Sequence, residues 1–172
     1  MTRTRILLVE PYRTGLATMA RRLGEAGYAV TCCASGADAV AELRRGAFDL
    51  VLSELRMAGT SGIDLLRLIR DDSGMADLPV ILITGRTDAS GAVEGFSAGA
   101  DDVVAKPFHF EVLLARIDQR LARARAVSEL RQDNATLDAR VVTRAIELGE
   151  MRDAFRESEA ERRRLAAIAA AR

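Results

Sequence analysis

Four polar residues stand where apolar runs stop. Glu10 follows Ile6-Leu7-Leu8-Val9, Glu54 follows Leu50-Val51-Leu52-Ser53, Thr84 follows Val80-Ile81-Leu82-Ile83, and Lys106 follows Asp102-Val103-Val104-Ala105. Each run is short enough for a strand and apolar enough to be buried on both faces. After Glu54 comes a loop, Met57-Ala58-Gly59-Thr60-Ser61-Gly62. A carboxylate at the carboxyl end of a buried central strand, facing a glycine-rich loop, is where an open α/β sheet places its chemistry. Carboxylates, a hydroxyl and an ammonium brought to that one edge would make a charged pocket. Asp49 and Ser53 are weaker candidates: Asp49 precedes its strand, and Ser53 should point away from Glu54 because side chains alternate.

The elements that must position these residues are legible in order. Helical spacing puts Leu16, Met19, Ala20 and Leu23 on one side of a helix ending near Gly24 and Gly27. Tyr28 to Cys32 is a second strand, and Ser35-Gly36-Ala37-Asp38 opens a second helix with the serine as its cap. A third helix carries Leu65, Leu66 and Ile69. A fourth, near 89–98, contains Gly91 and Gly95, each costing about 1 kcal/mol against alanine, and is expected to be the loosest. A long helix starts near His109, a lone histidine read as a surface or capping residue. Strand and helix alternate five times, which argues an α/β fold with a parallel sheet covered on both faces.

Composition narrows the function. Lys+Arg and Asp+Glu number 25 each, and aromatics make up 4% with no Trp. Nothing in that balance calls for a polyanionic partner, and few rings remain to stack on bases. With no helix-turn-helix or winged-helix segment apparent, the expectation is no nucleic acid. No apolar run approaches the ~18 residues that would span a membrane, so a cytoplasmic protein without membrane contact is expected. The adjacent Cys32 and Cys33 fit neither a redox nor a metal spacing.

With these landmarks placed, ILLVE at 6–10, DLVLSELRMAG at 49–59, PVILITG at 79–85 and GADDVVAKPF at 99–108 resemble the receiver domain of bacterial two-component response regulators. The resemblance implies a flavodoxin-like, doubly wound five-stranded sheet of order 2-1-3-4-5. It also implies an acidic pocket that binds Mg²⁺ and accepts a phosphoryl group from a histidine kinase. On that pattern the phospho-acceptor position falls on Glu54, where aspartate is usual. The paired acidic residues fall on Glu10 and Pro11, the switch aromatic on Val103, and the loop proline on Ala58; Thr84 and Lys106-Pro107 are retained.

These departures bear on the chemistry. Mg²⁺ needs a tight octahedral oxygen shell, and Pro11 supplies no carboxylate. Glutamate reaches one methylene further than aspartate, and a small misplacement can cost ~100-fold in rate. No catalysis, cofactor or metal ligand is therefore expected. Two readings of Glu54 stay open. In one, its carboxylate partly imitates phospho-aspartate, pairing with Lys106 and accepting from Thr84, with less charge and fewer oxygens than a phosphoryl group. In the other, Glu54 and Lys106 form an ion pair that only holds the strands together.

Residues 123–172, following a receiver-like stretch of 1–122, change to Ala, Arg, Glu and Leu without proline. One heptad register places Val127, Asn134, Val141, Leu148, Phe155 and Arg162 at a, and Leu130, Leu137, Arg144, Met151, Ser158 and Leu165 at d, with Arg144, Ser158 and Arg162 weakening the seam. The pattern argues a coiled-coil homodimer. The piece LDARVVTRAIEL at 137–148 resembles helical linkers that join receivers to kinase or cyclic-dinucleotide enzyme domains. The sequence thus reads as an atypical receiver acting on a kinase or output protein without phosphorylation. The alternative is the regulatory front of a longer signalling enzyme.

Overall fold

The computed structural model describes residues 3–170, though not the side chains of 165 and 168–170. Strands β1 (Arg5–Val9), β2 (Ala29–Cys33), β3 (Leu50–Glu54), β4 (Val80–Thr84) and β5 (Asp102–Ala105) alternate with helices α1 (Arg13–Glu25), α2 (Gly36–Arg45), α3 (Gly62–Asp71), α4 (Ala89–Ser97) and α5 (Phe110–Ala170). The strands form one sheet in the order β2-β1-β3-β4-β5, every neighbouring pair parallel. This is the flavodoxin-like α/β architecture expected from the sequence.

The apolar runs are continuous because both sheet faces are covered. Successive side chains leave opposite faces, so Ile6 and Leu8 enter one core while Leu7 and Val9 enter the other. Met19 and Leu23 of α1, with Leu113, Ile117 and Leu121 of α5, close the first core. Ala39 and Leu43 of α2, with Ile63, Leu66 and Ile69 of α3, close the second. Each fully buried aliphatic side chain contributes about 1.5–3 kcal/mol relative to exposure, so no single strand can leave the sheet cheaply. Cys33 lies in the second core and Cys32 is exposed, both as free thiols; burial pushes the Cys33 thiol up to about 11.

Local signals set the helix starts. Ser35 caps α2 by accepting from the Asp38 amide, and Ser61 with Asp64 forms a reciprocal capping box on α3. At the far sheet edge the Arg5 amide donates to Asp49 at 2.7 Å, so Asp49 fastens β1 and lies away from Glu54. By its internal contacts the chain divides into two units, Met1–Arg125 and Ala126–Arg172.

The two glycines of α4 have a reason that spacing alone does not reveal. Both are buried. A Cβ on Gly91 would strike the carboxylate of Asp88, and one on Gly95 would lie 3.0 Å from Leu82 Cδ1 and 3.3 Å from Val103 Cγ2. Their poor helix propensity is the condition for bringing α4 onto the sheet. Gly95→Ala should therefore destabilise the protein by about 1–2 kcal/mol through overpacking, despite alanine's better propensity. Gly149→Ala, with no atom within 4 Å of the added carbon, should instead raise helix stability by up to about 1 kcal/mol. Denaturant midpoints and helix content of the two variants check this; a stabilising Gly95→Ala would show that α4 is free to shift.

Candidate functional site

The strand register determines what meets at the carboxyl edge. Val9 pairs with Ser53, Glu54 with Ile83, and Thr84 with Ala105. The residues that end or follow those strands emerge side by side there. Lys106 Nζ donates to Glu10 Oε2 at 2.7 Å and to Glu54 Oε2 at 2.6 Å. Glu10 Oε1 accepts from the Tyr12 amide at 3.1 Å. Gly15 leaves room for the Glu10 side chain, whose Cδ would lie 3.2 Å from a Cβ there. Both carboxylates are buried, whereas the Lys106 side chain is 37% exposed. The Lys106–Pro107 bond is cis.

One ammonium thus serves two buried carboxylates. Burial pushes the Glu54 carboxyl above its ordinary value; Lys106 opposes that shift, and the neighbouring Glu10 adds to it. Lys106 is also held above its ordinary value. Burial works against its charge, but its hydrogen bonds to Glu10 and Glu54 outweigh that penalty.

Thr84 does not join this triad. Its hydroxyl donates to Asp88 Oδ2 at 3.1 Å, so the expected donation to Glu54 is not made. Asp88 was not singled out from sequence. It caps α4 by accepting from the Gly91 amide at 2.9 Å, and it takes two further bonds from Arg56, Nε at 2.9 Å and Nη2 at 3.2 Å. An aspartate directly before a helix is a readable cap signal, but the partnership with Arg56, across 32 residues, is not. Ser53 turns from Glu54's side chain and donates to its backbone carbonyl at 3.0 Å. His109 supplies the carbonyl that accepts from the Val112 and Leu113 amides at the start of α5. Val103, at the position where the resemblance implies a rotating aromatic, is an aliphatic side chain packed against the second core.

The Mg²⁺ that the fold family implies meets a poor donor set here. Pro11 offers no oxygen from its side chain, and an oxygen of each carboxylate is bound to Lys106 Nζ. Among the described residues no group of three or more His, Cys, Asp or Glu side chains could hold a metal ion. The residues do not fit an octahedral oxygen shell.

In the second unit, Val127, Leu130, Leu137, Val141, Leu148, Met151 and Phe155 are exposed along α5, as is Asn134. The Leu165 side chain lies outside the described residues. Val142 and Ile146 are also exposed although they fall outside the heptad seam, and sequence reasoning passed over them. The hydroxyls of Thr136 and Thr143 donate back to the Gln132 and Ala139 carbonyls.

Similarity to known proteins agrees with the fold. A model of the response regulator receiver domain matches residues 6–118. The chain belongs to the response regulator receiver family. It is 39% identical over 123 residues to the DNA-binding response regulator MtrA of Mycolicibacterium smegmatis, covering 70% of this chain and 52% of that protein. It is 34% identical over 155 residues to the regulatory protein VanRB of Enterococcus faecalis, covering 88% and 69%. The receiver domain of a signal transduction histidine kinase from Syntrophus aciditrophicus superposes with a TM-score of 0.66 at 30% identity, covering 69% of this chain and 90% of that one. The receiver chain spans about half the length of the MtrA relative.

These relatives correct one expectation, that of no nucleic acid. MtrA is a DNA-binding response regulator. The expectation rested on charge balance and on the lack of a DNA-reading segment within these 172 residues. Both are properties of a stretch that matches 52% of that relative, and charge averaged over a receiver says nothing about what the remainder of such a protein touches. Among the described residues no helix is long and apolar enough to cross a membrane.

Lys106→Met tests the triad. Leaving two buried carboxylates without a cation should destabilise the fold by about 2–3 kcal/mol, less than the loss from a fully buried pair because Lys106 is partly exposed. The Glu54 carboxyl, pushed up by burial, lends stability below its unfolded pKa and loses it as pH rises through the folded value. The deficit should therefore be full at neutral pH and shrink as pH falls towards the ordinary carboxylate range. Denaturant midpoints from pH 4 to 8 measure it; a pH-independent deficit would show that the triad is not its source.

Proposed function

We propose that this receiver signals without phosphoryl transfer and without Mg²⁺. The observation that carries the reading is Lys106 Nζ held between Glu10 and Glu54, at 2.7 and 2.6 Å. An acceptor whose oxygen is bound to an ammonium has that oxygen's electrons engaged, and is a poor nucleophile for an incoming phosphoryl group. The cation that would bring in the donor lacks its oxygen shell. The pocket then serves as a closed ion triad that fastens β1, β3 and the segment after β5. The phospho-mimic reading loses support because Thr84 donates to Asp88 and not to Glu54. Assembly is assigned to the second unit, whose exposed a and d side chains pair with those of a second copy in a coiled coil. The receiver then acts through protein-protein contact.

For the output, the relatives support DNA binding by the whole protein, since MtrA carries that activity in its name. A second reading, regulation of a signalling enzyme, is favoured by the likeness to the receiver of a histidine kinase.

Incubation of the native chain with acetyl phosphate and Mg²⁺ should leave its intact mass unchanged; phosphoryl mass mapped to Glu54 would overturn the reading. Solution mass against concentration should show a dimer for the native chain and equally for Glu54→Gln. Leu148→Asp, which removes ~1.5–3 kcal/mol of apolar burial from the seam of each copy, should raise the dissociation constant by at least about 100-fold. A Glu54→Gln variant that dissociates more readily than the native chain would restore the mimic.

A further inference from the structure

Asp88 is the point at which three otherwise separate parts of the receiver are tied. Its carboxylate accepts from the Thr84 hydroxyl at the end of β4 and caps α4 through the Gly91 amide, with Ser90 Oγ donating at 3.3 Å. From the segment after β3, two residues beyond Glu54, Arg56 reaches across with Nε and Nη2 on the two oxygens of the same carboxylate. That is the planar, two-bond geometry in which guanidinium and carboxylate pair best. Gly91 leaves the space, since a Cβ there would collide with the Asp88 carboxylate. Arg56 and Arg67 both also approach Glu94 on α4 at 3.9 Å. The Asp88 carboxyl is held well below the usual carboxylate range, chiefly by Arg56 and then by the Gly91 amide.

We propose that Arg56 and Asp88 form a latch that fixes the Thr84 hydroxyl towards α4, so that the conformation of α4 is governed by this pair and not by the group at position 54. The inference rests on the reading that the pocket is closed to phosphoryl transfer, and it supplies the regulation of that site. Asp88 is a positioning residue here: it acts through Thr84. For Thr84 to turn towards Glu54 it must leave Asp88. The bidentate contact from Arg56 keeps that carboxylate in place to receive it. A ligand or partner group that drew Arg56 away would free Thr84 and the first turn of α4 together. The accessible handle of the device is the Arg56 side chain, 57% exposed, while Thr84 is buried.

Two variants test it without threatening the fold. Arg56→Gln removes the guanidinium from an exposed position, and Asp88→Asn keeps an oxygen for the Gly91 amide while removing the charge that Arg56 grips. In both, the Thr84 χ1 rotamer, read from three-bond couplings to its methyl, should change from one state to a mixture. Amide exchange across residues 89–97 should quicken at least about threefold while that of β1 and β3 stays unchanged. An unchanged Thr84 rotamer in both variants overturns the latch, whatever happens to overall stability. The phosphodonor experiment is separate: added phosphoryl mass on the native chain overturns the closed pocket even if the rotamer responds.

Discussion

The ammonium of Lys106 is the constraint on which the receiver edge depends. Two carboxylates buried at the ends of adjacent strands need a cation between them, because a buried charge left without a partner is costly. Lys106 reaches both, and so the chain after β5 must stay beside β1 and β3 although β4 lies between β3 and β5 in the sheet. The same contact that satisfies the charges also occupies them. A pocket built to receive a dication and a phosphoryl group has to keep oxygen lone pairs free for them. This one spends an oxygen of each carboxylate on an ammonium, and Pro11 adds no side-chain oxygen to replace them.

That occupation changes what the neighbouring hydroxyl can do. In an edge where Glu54 were free, Thr84 would have a strong acceptor one strand away. With Glu54 turned to Lys106, the best acceptor left is Asp88, already fixed by Arg56 and by the first turn of α4. The polar groups of the edge thus separate into two closed sets. One is centred on a cation held by two acids, the other on an acid held by a guanidinium, an amide and two hydroxyls. Buried or half-buried polar groups that are fully satisfied resist rearrangement, and two independent sets transmit less between them than one shared set would.

The sequence made most of the fold legible because the apolar runs are buried on both faces and so carry no competing pattern. The strands, their order, and the carboxyl-edge positions of Glu10, Glu54, Thr84 and Lys106 follow from alternation and from the receiver motifs. The pairing of Glu54 with Lys106 was also within reach. Three things were not. Thr84's partner depends on a capping carboxylate and an arginine 32 residues apart, and no periodicity connects them. The glycines of α4 look like poor propensity from sequence, whereas the reason for them is contact with Asp88, Leu82 and Val103. The exclusion of nucleic acid failed for a different reason: charge balance describes the residues counted, and relatives such as MtrA extend well beyond their match to them.

The second unit follows a different physics. Residues 126–164 of α5 are exposed throughout, including their large apolar side chains. Alanine, arginine, glutamate and leucine favour a helix, and spaced pairs such as Arg163 with Glu159 add only a few tenths of a kcal/mol each. In proteins most helical stability comes from packing an apolar face, not from propensity. A helix that keeps Leu130, Leu137, Leu148, Met151 and Phe155 in water forgoes that source, and the heptad spacing of those residues specifies the geometry that would recover it. Asn134 at an a position and Arg144 at a d position keep the gain moderate, because burying either sets a polar group against an apolar seam. In the coil we propose, these two polar positions lower the gain from pairing, and the apolar a and d positions on either side of them supply what remains.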